Sequence, residues 1–331
     1  MDGILFWKGD ILMINRYELI RPSMDKVEAM LKSSLRSKHR IINSAIKDLL
    51  ESGGKRLRPA LLVVCGNMGN KESPRLITMA AIVEILHMAT LVHDDIIDDA
   101  LFRRGVTTVQ AKWGKDIAVF LGDYLFSTAF ALITDNCPVE NFGIITKTLQ
   151  NICEGEISQY EDRFSTDVSR IRYLKRIMGK TAALFGLSCY LGAHESGCSG
   201  QQKSILFRYG ISLGMAFQIA DDVLDFIGDE QRTGKPKAND FTQGIYTLPV
   251  IHALRDKSLG PTLKEILQSF PLDKNDIKRV IAIVQASGGI EYSIDLINRY
   301  TNRAVNTINT LPDNGYKAIL IDLLDNIKPC R

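Results

Sequence analysis

Proline is missing from most of this chain: none occurs between Pro74 and Pro138, and none between Pro138 and Pro236. Proline removes a backbone donor and clashes with the preceding turn, so these gaps leave room for long unbroken helices. The apolar/polar alternation of strands is nearly absent as well, which excludes a β-rich fold and leaves an all-α one. Charge of one sign is not in excess. Lys and Arg number 41 against 38 Asp and Glu, a net charge of +3, which excludes a nucleic-acid binder relying on a broad basic surface. The six cysteines, Cys65, Cys137, Cys153, Cys189, Cys198 and Cys330, form no CxxC pair and no Cys/His metal spacing. They are expected to be reduced thiols of a cytoplasmic protein. Uninterrupted apolar runs of about 18 residues, the length that spans a bilayer, are lacking. Acidic residues break up the apolar start, Met1 to Asp10, and no cleavage site of small residues follows, so no signal peptide is expected. Short repeats and Gly/Ser/Pro-rich linkers are absent too; one domain over 1–331 is expected, with 1–20 peripheral.

Apolar residues spaced three and four apart place helices at 25–51, from 59 onward, and at 75–101, 115–134, 139–163, 169–193, 200–228, 240–256, 274–287, 289–310 and 313–327. Ser23 is the expected cap of the first, Gly53-Gly54 its end, and Pro59 the start of the next.

Two matching aspartate clusters stand inside apolar sequence: Asp94-Asp95-Ile96-Ile97-Asp98 and Asp221-Asp222-Val223-Leu224-Asp225. In a helix, residues four apart stack, so Asp94 sits over Asp98 and Asp221 over Asp225. Each cluster is a two-carboxylate claw. Like charges at that spacing cost about 0.2–0.5 kcal/mol per pair, which a divalent cation would offset. Magnesium suits such open claws, because it keeps several waters and is completed by substrate phosphates. A lone cluster would read as a solvated helix end, whereas two on separate long helices read as opposite walls of one cavity.

Basic residues gather in four places. Gly53-Gly54-Lys55-Arg56-Leu57-Arg58-Pro59 joins a helix end to a helix start and offers cations beside free backbone N–H groups, a setting for phosphate. Arg103-Arg104-Gly105 follows the first claw, Lys180-Thr181 lies mid-helix, and Gly234-Lys235-Pro236-Lys237 follows the second claw. His87, seven residues before Asp94, shares nearly the same helix face.

In this order, and together with Phe217-Gln218 just before the second claw, these motifs resemble the trans-isoprenyl diphosphate synthases over about residues 20–255. The resemblance implies an all-α bundle around a deep central cavity, normally dimeric, with about three Mg2+ ions per active site. It implies that Asp94, Asp98 and Asp221 ligate metal directly, with Asp95, Asp222 and Asp225 supporting or acting through water. Lys55, Arg58, His87 and Arg104 are then expected on isopentenyl diphosphate, and Arg103, Lys180 and Lys235 on the allylic diphosphate. Thr181, Phe217 and Gln218 are expected near the reacting carbons, with Gln159 also facing them. Ile245 departs from the pattern, standing where a lysine is often found.

Short-chain relatives carry bulky aromatics at the positions of Ala89 and Thr90. Both are small here, and Leu86 and Val83, a turn or more deeper, are aliphatic. A product of about six or more isoprene units is therefore expected, suited to a quinone side chain. The expected partners are the two diphosphate substrates, a second copy or a small noncatalytic subunit, and a membrane surface at product release. The rival readings are a short-chain (C15/C20) synthase, a terpene cyclase, and a noncatalytic binding subunit. The repeated aspartate triplet speaks against the cyclase, and the completeness of both claws against the noncatalytic subunit.

Overall fold

The computed structural model describes residues 18–103, 105–227 and 239–327. Its elements are α1 (Arg21–Ser34), α2 (Arg40–Glu51), α3 (Leu57–Cys65), α4 (Leu76–Ile97), a hairpin of β1 (Phe102–Arg103) and β2 (Val106–Thr107), α5 (Val109–Trp113), α6 (Lys115–Asn136) and α7 (Phe142–Glu161). There follow α8 (Arg170–Ile177), a π-helical stretch Met178–Ala182, α9 (Ala183–Glu195), α10 (Gly200–Ile227), α11 (Asn239–Thr242), α12 (Leu248–Ala253), α13 (Gly260–Gln268), α14 (Lys274–Ala286), α15 (Gly289–Ile308) and α16 (Gly315–Asp325).

Helices α4 and α9 are apolar around nearly their whole circumference and form the centre of the bundle, as such helices must. Helix α4 packs on α1, α3 and α6, while α10 lies between α9 and α15. Closeness of α10 to the π stretch depends on Gly214, where a Cβ would fall 2.6 Å from the Cα of Ala182.

The all-α expectation holds, and the deviations have local causes. The helix expected over 25–51 is two helices, and its start is at Ile20 rather than Ser23, with Pro22 in the first turn. The break at 35–39 arises because Asn43 bonds the backbone of Ser37 through both ends of its amide, at 2.8 and 2.7 Å, giving the chain an alternative to helix. The helix bearing the first claw stops at Ile97, four residues early, because Asp99 takes a left-handed φ of 49° and the hairpin follows. Two short helices, α5 and α13, have no counterpart in the apolar pattern. By length and composition α4 and α6 could each cross a membrane; two-thirds of the apolar window of α4 is buried in the bundle, against 33% for α6.

Candidate active site

The basic loop between α2 and α3 turns through two left-handed residues, Gly53 (φ 67°) and Arg56 (φ 45°). Arg56 is fixed by ion pairs to Glu28 at 2.6 Å and Glu84 at 2.8 Å, which consume its charge. Lys55 and Arg58 are thereby presented to different surroundings: Lys55 stands exposed, and Arg58 turns toward α4. Arg58 Nη1 lies 2.9 Å from His87 Nε2, and its guanidinium lies 4.6 Å from the Phe185 ring centroid. Because arginine only donates, His87 Nε2 accepts and the ring proton sits on Nδ1. Lys55, Arg56, Arg58 and His87, with Asp95, Arg103 and Phe217, line one recess.

Asp94 occupies the last turn of α4 and Asp98 is its C-cap, the Asp98 N–H donating to the Asp94 carbonyl at 2.9 Å. Carboxylates at the negative end of a helix are repelled by the helix as well as by each other. Hairpin residue Arg103 donates to Asp95 at 2.7 Å. Lys180 Nζ lies 3.8 Å from Asp94 and 2.7 Å from Glu156 of α7, so one ammonium serves two acids. Burial, with Asp98 repulsion added, raises the Asp94 carboxyl above its ordinary value despite Lys180 and Arg103. Burial and the Asp94 charge push Glu156 up to about 7. Burial alone would lower Lys180, but Asp94 and Glu156 outweigh it and its pKa rises, so it stays protonated. Carboxylate exceeds cation here, which fits a divalent ion. Among the described residues no three metal-ligand side chains already converge into a cage, and magnesium needs none, since water and phosphate complete its shell.

In the second claw, Asp221 is exposed and Asp225 accepts from the Asp240 N–H at 3.2 Å. Asp222 is different. Only 3% exposed, it accepts from Tyr173 Oη at 2.5 Å on one oxygen and from Gln218 Nε2 at 2.9 Å on the other. Burial pushes its carboxyl up to about 7. Both of its oxygens accept from protein donors, so Asp222 braces Gln218. Gln218 Oε1 in turn accepts from Thr181 Oγ1 at 2.7 Å.

From the π stretch, Lys180 thus touches the first claw directly, and its neighbour Thr181 is linked to the second through Gln218. Wide π turns often mark functional sites, and this one lies against α7 because residue 155 is glycine: a Cβ there would sit 2.6 Å from the Lys180 nitrogen.

The sequence reading missed Glu156 and Tyr173. Gly155, a helix-interior glycine costing about 1 kcal/mol relative to alanine, was the available signal for Glu156; Tyr173 has none. Gln159, one turn beyond Glu156, is half-buried. Arg104 and Lys235 lie outside the described residues. Ile245 is only 8% exposed and supplies no cation. Of the expected wall, Val83, Leu86 and Ala89 are buried, and Thr90 is part-exposed with its hydroxyl donating to the His87 carbonyl at 2.8 Å.

Bundle, twin acidic claws and cationic recess together define a prenyl diphosphate synthase. Residues 39–284 match the Polyprenyl synthetase family, and the chain belongs to that family; it is a prenyltransferase. Heptaprenyl diphosphate synthase component 2 of Bacillus subtilis is 35% identical over 306 residues, covering 92% of this chain and 87% of that protein. Geranylgeranyl diphosphate synthase of Saccharolobus solfataricus is 34% identical over 298 residues, covering 87% and 90%. A solved polyprenyl synthase from Caulobacter crescentus, complexed with calcium and isoprenyl diphosphate, is similar with a TM-score of 0.90 and 29% identity, covering 100% of both chains.

Proposed function

We propose that this chain condenses isopentenyl diphosphate with an allylic prenyl diphosphate in a magnesium-dependent reaction, making an all-trans polyprenyl diphosphate of about C30 or longer for quinone side chains. The observation that carries the reading is the junction at Lys180 and Thr181, which ties the two claws into one site beside the cationic recess.

Asp94, Asp98 and Asp221 would hold Mg2+, about three ions in all, with Asp225 acting through water. Bound there, magnesium supplies positive charge that stabilises the departing diphosphate. Lys180, kept protonated beside Asp94, adds a fixed cation at the same place, with Arg103 and Lys235 as its companions on the allylic diphosphate. Lys55, Arg58, His87 and Arg104 orient isopentenyl diphosphate, whose double bond attacks the allylic carbon as the C–O bond breaks. The bonding pair leaves with the diphosphate, which also takes the proton released from the new chain. No protein nucleophile enters. Phe217 and the oxygens of Thr181 and Gln218 face the positive charge that develops, and the apolar bundle keeps water from it.

Relatives of nearly equal identity are named for heptaprenyl and geranylgeranyl products, so product length is argued from this chain's own wall. Thr90, Leu86 and Val83 lie four, eight and eleven residues before Asp94, on its helix face, with small Ala89 beside them. No aromatic blocks that face. Assaying the purified protein with farnesyl diphosphate and isopentenyl diphosphate tests this; product halting at C15 or C20 contradicts it. The same proposal takes the chain as one cytoplasmic domain that works as a homodimer or with a small noncatalytic subunit, and that touches a membrane when product leaves. The exposed apolar Val119, Phe120 and Phe130 on α6 support such a subunit contact.

A further inference from the structure

A second recess lies between the start of α8 and the end of α12, lined by Arg170, His252, Arg255, Asp256, Lys257 and Ser258. It shares no residue with the condensation site. Three permanent cations face it with one carboxylate, and that carboxylate is turned to the backbone: Asp256 Oδ1 accepts from the Ser258 N–H, the Ser258 hydroxyl and the Leu259 N–H, each at 2.8 Å. Arg170, Arg255 and Lys257 form no ion pair with a described acidic side chain, in contrast to Lys112, Lys115, Arg172 and Lys264, which do. Arg170 is also held rigidly. Its Nη1 donates to Tyr292 Oη at 3.0 Å and its guanidinium lies 5.2 Å from the Tyr292 ring centroid. On the same ring rests His252, 4.4 Å between centroids. An arginine pinned in this way has part of the ordering cost of receiving an oxyanion met in advance. His252 is lowered from its ordinary value by burial and then by the Arg170 charge, as expected of a pocket with positive potential.

We propose that this recess binds a phosphate-bearing anion, either free diphosphate, the by-product of the family's own reaction, or the headgroup of an anionic lipid. Arg170 supplies the planar fork, Arg255 and Lys257 close the open side, and His252 adds a ring N–H once the anion has raised its proton affinity.

The test uses the full chain in two arms. The first is calorimetric titration with inorganic diphosphate in EDTA. The second is cosedimentation with vesicles of phosphatidylglycerol or of phosphatidylcholine alone. Arg255→Ser/Lys257→Ser is compared with wild type and with a control of equal charge change at two other exposed lysines, Lys26→Ser/Lys278→Ser. The proposal expects the recess variant, and not the control, to lose at least tenfold in affinity for diphosphate or for phosphatidylglycerol vesicles, with basal condensation unchanged. Loss in the first arm identifies the free anion, and loss in the second alone the lipid headgroup. Equal binding by all three proteins in both arms, or equal losses in variant and control, overturns it.

Discussion

One tyrosine hydroxyl governs how the second claw is presented. Tyr173 holds Asp222, Asp222 holds Gln218, and Gln218 holds Thr181, in a line whose members are buried except for half-buried Gln218. Removing a buried hydrogen bond to an acid costs about 1.5–3 kcal/mol, so Tyr173→Phe should lower kcat about tenfold while KM for isopentenyl diphosphate hardly moves; a rise in KM alone would place Tyr173 outside this line. The buried acids also set a pH dependence. Asp222 and Glu156 stand at about 7 when folded, against ordinary values of 3.8 and 4.5. The folded state therefore keeps protons that the unfolded chain has released. Their contribution to stability is present below about pH 4 and is lost as pH rises through about 7. Thermal unfolding of metal-free wild type, measured against Asp222→Asn, should show the difference in Tm moving against wild type between pH 5 and pH 8. A difference that moves the other way contradicts the burial argument.

Among the helices, α4 carries carboxylates in its last turn and the proposed product wall in its middle. Placing phenylalanine at Ala89 or Thr90 should shorten the product without stopping turnover, as read by chromatography of the dephosphorylated chains; unchanged length would remove those residues from the wall. The contact of α7 with the π stretch is the other decisive junction. Gly155→Ala must push the two backbones apart, so kcat should fall with a drop in Tm, and retention of both would mean Glu156 and Lys180 need no such closeness. How far these elements could be read beforehand follows from their physics. Long amphipathic or wholly apolar helices announce themselves by period, and α4, α6, α10 and α15 fall within a few residues of expectation. The break at 35–39, the left-handed Asp99 and the π turn depend on side chains bonding locally or on tertiary contact, which apolar spacing does not encode.

Taken whole, the molecule brings together residues far apart in sequence. The claws were legible because like charges clustered in apolar surroundings need a reason, and the basic loop because it joins two helices. Which of the loop's three cations would serve a ligand was not legible from spacing: Arg56 is spent on Glu28 and Glu84, and only the fold shows it. The exposed apolar face of α6, with Phe120 61% exposed, belongs to the same scale. Phe120→Asp should shift sedimentation toward monomer without unfolding the chain, and an unaltered profile would contradict the proposed subunit contact through this face.

The most direct measurement is incorporation of labelled isopentenyl diphosphate onto farnesyl diphosphate, run with the chain alone and with a candidate small subunit, with magnesium or with EDTA. The account predicts incorporation with magnesium in at least one of these, none in EDTA, and a fall of about a thousandfold or more for Asp94→Asn and for Asp221→Asn. Incorporation that survives EDTA, or that persists in both variants, would contradict it.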